Sequence, residues 1–166
     1  MLLAMSRQNK NGHFQLSVQS TGCNCVEALQ TGERHVGTTA LGLLANAGKL
    51  TRSRGSITQN LVILPGNEIL EGAKRTNRAL YALARKYGYR TVSPTTAALL
   101  FLQSTDSQLH RECFEYIACL VAPSSGLYIG WNLAGVRRLG ASVPDVSTKQ
   151  PTNPAWGSGV GFVFGT

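Results

Sequence analysis

"APSSGLYIGW", residues 122–131, decides between two folds. As a β-hairpin tip it joins two antiparallel strands; as the loop that ends a parallel strand it lies where an α/β protein holds its ligand. The residues after Gly126 make the choice. Ile129, Leu133 and Val136 fall on one side of a helix, the run ends in Arg137 and Arg138, and Gly140 supplies a stop. On the other side, Tyr128, Ile129 and Trp131 favour strands, and Gly130 and Gly135 weaken a helix. We read 129–139 as a crossover helix, leading to a parallel strand at "GASVP", and keep the strand hairpin as the alternative.

Working back from this stretch, "FEYIACLVAP" has strand character and stops at Pro123, and "TDSQLHREC" is a polar helical turn before it. Ser93 and Pro94 open a helix over "PTTAALLFLQ", because serine accepts orphan amides and proline at the first helical position gives up no donor. "YRTVS" is a short strand. The region from Glu68 to Tyr87 predicts a helix capped by Asn67, with Ile69, Ala73, Thr76, Leu80, Leu83, Ala84 and Tyr87 inward and Lys74, Arg75, Arg78, Arg85 and Lys86 outward. "NLVIL" is an uninterrupted apolar run, the form of a strand buried on both faces. Further back, "TRSRGSITQ" reads as a basic loop, "TTALGLLANAGKL" and "CNCVEALQTG" as helices stopped at Gly48 and Gly32, and "HFQLSVQS" as a half-buried strand with Phe14, Leu16 and Val18 inward. At the other end, "PAWGSGVGFVFGT" alternates Val160, Phe162 and Phe164 with small residues and reads as a closing edge strand or subunit contact.

Strand and helix thus alternate over residues 60–144. This predicts a three-layer Rossmann-like (flavodoxin-like) α/β fold with a mostly parallel sheet, an N-terminal strand and helices before it, and a C-terminal edge strand. The hairpin alternative gives an α+β fold with an antiparallel sheet. In a parallel sheet, ligands bind beyond the carboxyl ends of the strands, which singles out Gly66, Asn67, Ser93, Ser124, Ser125 and Gly126. Free amides and the positive helix end at Asn67 and Gly126 suit a phosphate or a ribose.

The 166 residues fit one domain, 1–166, with 1–12 as a tail or turn and 60–144 as the α/β core. Apolar residues make up 43% and charged residues 14%, which fits a well-covered core rather than long disorder. Sixteen lysines and arginines oppose eight acids, a net +8 that favours polyanions. The excess is concentrated between residues 49 and 90, where Arg52, Arg54, Lys74, Arg75, Arg78 and Arg85 are the candidate nucleic-acid contacts. No aromatic series is evident beside them, which counts against stacking of single strands. No apolar run approaches the roughly 20 residues of a membrane span, and the start lacks a secretory pattern. A cytoplasmic protein with no membrane partner is therefore expected.

The order of features over 60–144 resembles the nucleoside 2-deoxyribosyltransferase-like family. The matching pieces are "LPGN" after the first strand, "GYRTVSP", Asp106 in "TDSQLHREC", and "GLYIGWNLAGVRRLGASVP". The resemblance implies N-glycosidic bond chemistry on a nucleoside-like substrate, with Asp106 on a ribose hydroxyl. Family enzymes use a glutamate as nucleophile, and Tyr128 stands in its place here. A phenol, ionising near pH 10, is a poor substitute for a carboxylate.

Other residues invite chemistry less strongly. His110, Glu112 and Cys113 could pair a thiol with a base, but nothing in the sequence orients them. Cys23, Cys25, Cys113 and Cys119 are spaced as C-x-C and C-x5-C, which matches neither a zinc finger nor a redox pair, so no metal and no cofactor is expected. The leading expectation is binding of a nucleotide, nucleoside or sugar phosphate. A basic module that binds nucleic acid or an acidic protein partner, and an assembly protein that forms a homo-oligomer, are the two alternatives.

Overall fold

A computed structural model describes residues 9, 11–20, 25–31, 35–48, 57–69, 76–110, 112, 114–122, 127–133, 138–142 and 156–166. Among these residues seven strands form one mixed sheet in the order β1-β3-β7-β4-β5-β6-β2. They are β1 (Phe14–Ser20), β2 (His35–Val36), β3 (Ile57–Pro65), β4 (Tyr116–Ala122), β5 (Leu127–Asn132), β6 (Arg138–Ser142) and β7 (Val160–Gly165). The helices are α1 (Cys25–Thr31), α2 (Thr38–Gly48), α3 (Gly66–Ile69), α4 (Asn77–Lys86), α5 (Pro94–Gln103) and α6 (Asp106–His110). Among the described pairings only β2 with β6 and β4 with β7 are parallel; the other four are antiparallel.

The α/β character and the helices on both faces of the sheet match the sequence reading; the mostly parallel sheet does not. The correction starts at Leu127, which begins a strand. β5 pairs back on β4 with Cys119 opposite Ile129 and Leu120 opposite Tyr128. Its side chains explain the outcome. Ile129, Trp131 and Leu133 are all buried in one core, so a period of two, rather than the helical spacing of Ile129, Leu133 and Val136, accounts for the apolar residues. Continuous burial against neighbours on both sides rewards the β-branched and aromatic residues more than a solvated crossover would.

Other differences are local. The helix expected over 68–87 is two pieces within the described residues, and Thr76, not Asn67, caps α4 by accepting the Ala79 amide at 3.3 Å. "YRTVS" contributes a single bridge, Arg90 to Gly165. β7 is central, not an edge: it lies between β3 and β4. Val160, Phe162, Val163 and Phe164 are each buried, and such residues cannot serve as a subunit contact. Gly161 is required there, because a Cβ would lie 2.8 Å from Ile63 Cγ2 and 3.0 Å from Ile117 Cδ1.

Alternation along the strands builds two cores. On the first face Leu16, Val18, Leu61, Ile63, Ile117, Ile129, Trp131 and Leu139 meet α1, α2, α5 and α6. The interior helix α5 is buried from Thr96 to Phe101, and Ser93 caps it as expected. On the second face Val62, Leu64, Ala118, Leu120, Phe162 and Phe164 meet Leu80 and Ala84 of α4, with Tyr116, Tyr128 and Trp156 packed alongside. No helix among the described residues is long and apolar enough to cross a membrane.

Candidate functional site

Of the residues expected at the carboxyl ends of the strands, Gly66, Asn67 and Ser93 fall within the described residues. Gly66 is buried, and a Cβ there would meet the carbonyl oxygens of Val160, Gly157 and Ser158 at 2.8, 3.1 and 3.2 Å. A glycine is needed so that two backbones can touch, and the acceptors facing it repel a phosphate. Asn67 is exposed on the four-residue α3. Ser93 is exposed, but its hydroxyl is engaged with the Thr96 amide and with Thr96 Oγ1, which in turn donates to Gln59 Oε1 at 2.5 Å. Ser124, Ser125 and Gly126 lie outside the described residues. Asp106 opens α6, whose Leu109 packs into the first core, whereas Tyr128 packs on the second.

Of the expected basic contacts, Arg78 and Arg85 are exposed on α4, with Lys86 beside them; Arg52, Arg54, Lys74 and Arg75 lie outside the described residues. Cys25 and Cys119 are buried, and burial pushes the Cys119 thiol up, away from a nucleophilic thiolate. Among the described residues no three His, Cys, Asp or Glu side chains gather to hold a metal.

A different arrangement surrounds Tyr128. Because Ile129, Trp131 and Leu139 point into the first core, Tyr128, Gly130 and Asn132 of β5 and Arg138 and Gly140 of β6 face the second side. Tyr116 of β4 pairs with Asn132, and Gly130 pairs with Gly140. Continuing that register sets Arg138 level with Asn132, and His35 of β2 pairs with Arg138. Both Arg138 and His35 are exposed.

The two glycines have opposite surroundings. Over Gly130 leans the Tyr116 ring, so that a Cβ would lie 2.6 Å from the Tyr116 hydroxyl and 2.7 Å from Cε1. At Gly140 a Cβ would meet nothing nearer among the described residues than the Gly130 carbonyl oxygen at 3.8 Å. Among the described residues the result is a floor of bare backbone beside an aromatic wall. Trp156 meets Tyr128 edge-on at 4.7 Å, Phe162 edge-on at 5.5 Å and Tyr116 at 6.4 Å. Its indole N–H donates to Asn77 Oδ1 at 2.7 Å, which ties the wall to the start of α4. Burial first, and then the neighbouring Tyr128, with which it shares a hydrogen bond, hold the Tyr116 phenol above its ordinary range. It stays a hydrogen-bonding hydroxyl at neutral pH.

Only Tyr128 of this surface was singled out from sequence. Trp156, Asn77, Tyr116, Gly140, Arg138 and His35 come from five separate elements and loops, and no local spacing links them. The one available signal was the period of two across 128–132, which would have put Tyr128, Gly130 and Asn132 on one face. Nor do relatives supply the link: no family model, no curated protein and no solved structure matches this chain.

Proposed function

We propose that the protein binds a nucleotide, or a related phosphorylated nucleoside, on the floor at Gly140, and that it binds rather than transforms its ligand. The observation that carries the reading is the bare backbone at Gly140, uncovered among the described residues, between an aromatic wall and a guanidinium on the same face. A planar ring packs against Trp156 and Tyr128, whose rings are already ordered by their neighbours, so little freedom is lost on binding. Arg138, two residues along β6 and about 7 Å away by the strand rise, is placed for a phosphate that one sugar separates from that ring. His35 and Asn132 offer further donors. Arg78, exposed next to Asn77, adds positive potential on the same side.

The chemistry argues for binding alone. The strand positions facing this surface, 35, 116, 118, 120, 128, 130, 132, 138 and 140, include no carboxylate. N-glycosidic chemistry at Tyr128 would ask a phenol to act as nucleophile in place of a carboxylate.

Thermal shift with a nucleoside monophosphate, the nucleoside, ribose 5-phosphate and inorganic phosphate tests the reading. The monophosphate should stabilise most, by about 2.7 kcal/mol at a hundredfold excess over Kd. Arg138→Ala should weaken binding about tenfold or more, the loss of a charge-assisted hydrogen bond. Gly140→Ala should leave the unliganded melting temperature unchanged yet abolish the shift, since its methyl occupies the floor. If none of the four compounds raises the melting temperature at millimolar concentration, the site is not a nucleotide site.

A further inference from the structure

We infer that the C-terminal end of α4 is a docking point for single-stranded nucleic acid, with Tyr87 as the platform on which a base stacks. Tyr87 is the one large apolar side chain that is exposed among the described residues, at 37%. It is also held in place. His13 meets its ring edge-on at 4.7 Å, and Tyr89 lies against it at 5.8 Å with the planes 28° apart. Tyr89 is anchored in turn, since its hydroxyl bonds Asn9 Nδ2 at 2.8 Å, His13 Nδ1 at 3.0 Å and Asn11 Nδ2 at 3.4 Å. An exposed ring fixed by buried neighbours loses little rotamer freedom when a partner covers it.

The charged side chains that flank it in the chain have one sign. Arg85 and Lys86 close α4 just before Tyr87, Arg90 follows Tyr89, and all three are exposed. No aspartate or glutamate occurs from residue 72 to 105, nor from 1 to 26, so neither segment that builds this corner contains a side chain to neutralise them. Cations beside an ordered aromatic face match phosphates beside an unpaired base. An acidic peptide would satisfy the cations but leave the ring without a planar partner, and the bases of a duplex are already stacked on one another. This corner is separate from the Gly140 floor: Asn77 touches Trp156 at the other end of α4, about 15 Å away along the ten-residue helix.

Fluorescence anisotropy with a short labelled oligothymidylate at low salt tests the inference. Tyr87→Ala and Tyr87→Leu should each weaken binding about five- to a hundredfold, the range for one lost base stack, while Tyr87→Phe should bind as the parent does. Replacing Arg85 and Lys86 by alanine should reduce the log–log salt slope by about 1.4, two phosphate contacts on a single strand. The leucine variant keeps apolar bulk at the helix end, and circular dichroism verifies that each variant is folded. Equal binding of the parent and Tyr87→Leu, equal affinity for duplex or heparin, or no binding at low salt would each overturn the inference. Loss of oligothymidylate binding in Gly140→Ala would do so as well, by assigning it to the nucleotide floor.

Discussion

Tyr81 shows how a single atom can set the response of this protein to alkali. Its hydroxyl is buried with no hydrogen-bond partner among the described residues, while its ring meets Phe164 edge-on at 6.4 Å. Burial pushes its pKa from 10.0 up to about 12. The folded state thus favours the neutral phenol. This contribution to stability is fully present below pH 10 and is lost as the pH rises toward 12. Melting temperature should therefore fall across that window, and ultraviolet titration of the native protein should show Tyr81 ionising well above pH 10. Tyr81→Phe should flatten the alkaline fall and raise stability at neutral pH by about 1 kcal/mol, because it removes an unsatisfied buried polar group. An unchanged alkaline profile would show that the hydroxyl is solvated. Little of this was visible in the sequence, where Tyr81 is one of five tyrosines in a helix with no mark of burial. The same holds for Tyr89, whose hydrogen-bond partners lie 76 to 80 positions away.

At the scale of elements, local chemistry was legible wherever it was self-contained. Ser93 and Pro94 announce α5 because cap and proline act within one turn. "NLVIL" announces a strand buried on both faces, and Leu61, Val62, Ile63 and Leu64 are all buried. β5 was not legible, since its six residues satisfy a helical and a strand period equally and only the neighbouring strand β4 decides between them. Gly130 marks that dependence. Its Cβ would collide with the Ile117 carbonyl oxygen and the Tyr116 ring, which belong to the partner strand. Gly130→Ala should destabilise the protein by about 1–3 kcal/mol in chemical denaturation and displace Tyr116, weakening nucleotide binding as well. A variant as stable as the parent would mean that β4 and β5 can separate at this point.

For the whole molecule, β7 is the joint. It pairs with β3 on one side and β4 on the other, so without it the sheet has no continuous order from β1 to β2. Deleting residues 160–166 should abolish the cooperative unfolding transition. Phe162→Ala, at a fully buried position, should cost about 3–5 kcal/mol, a large part of the stability of an ordinary domain. A sharp transition in the deleted chain would show that two half-sheets fold by themselves. The sequence by itself determined the periods of β1, β3 and β7, the start of α5, the positive charge of α4 and the mixture of helices and strands, because each of these depends on residues within a few positions of one another. Only the tertiary structure decided which strands are neighbours, that 127–132 turns back as a hairpin, and that Trp156, Asn77, Tyr116 and Arg138 share one surface. Those outcomes depend on which apolar faces are buried together, and that free energy comes from contacts between residues far apart in the chain.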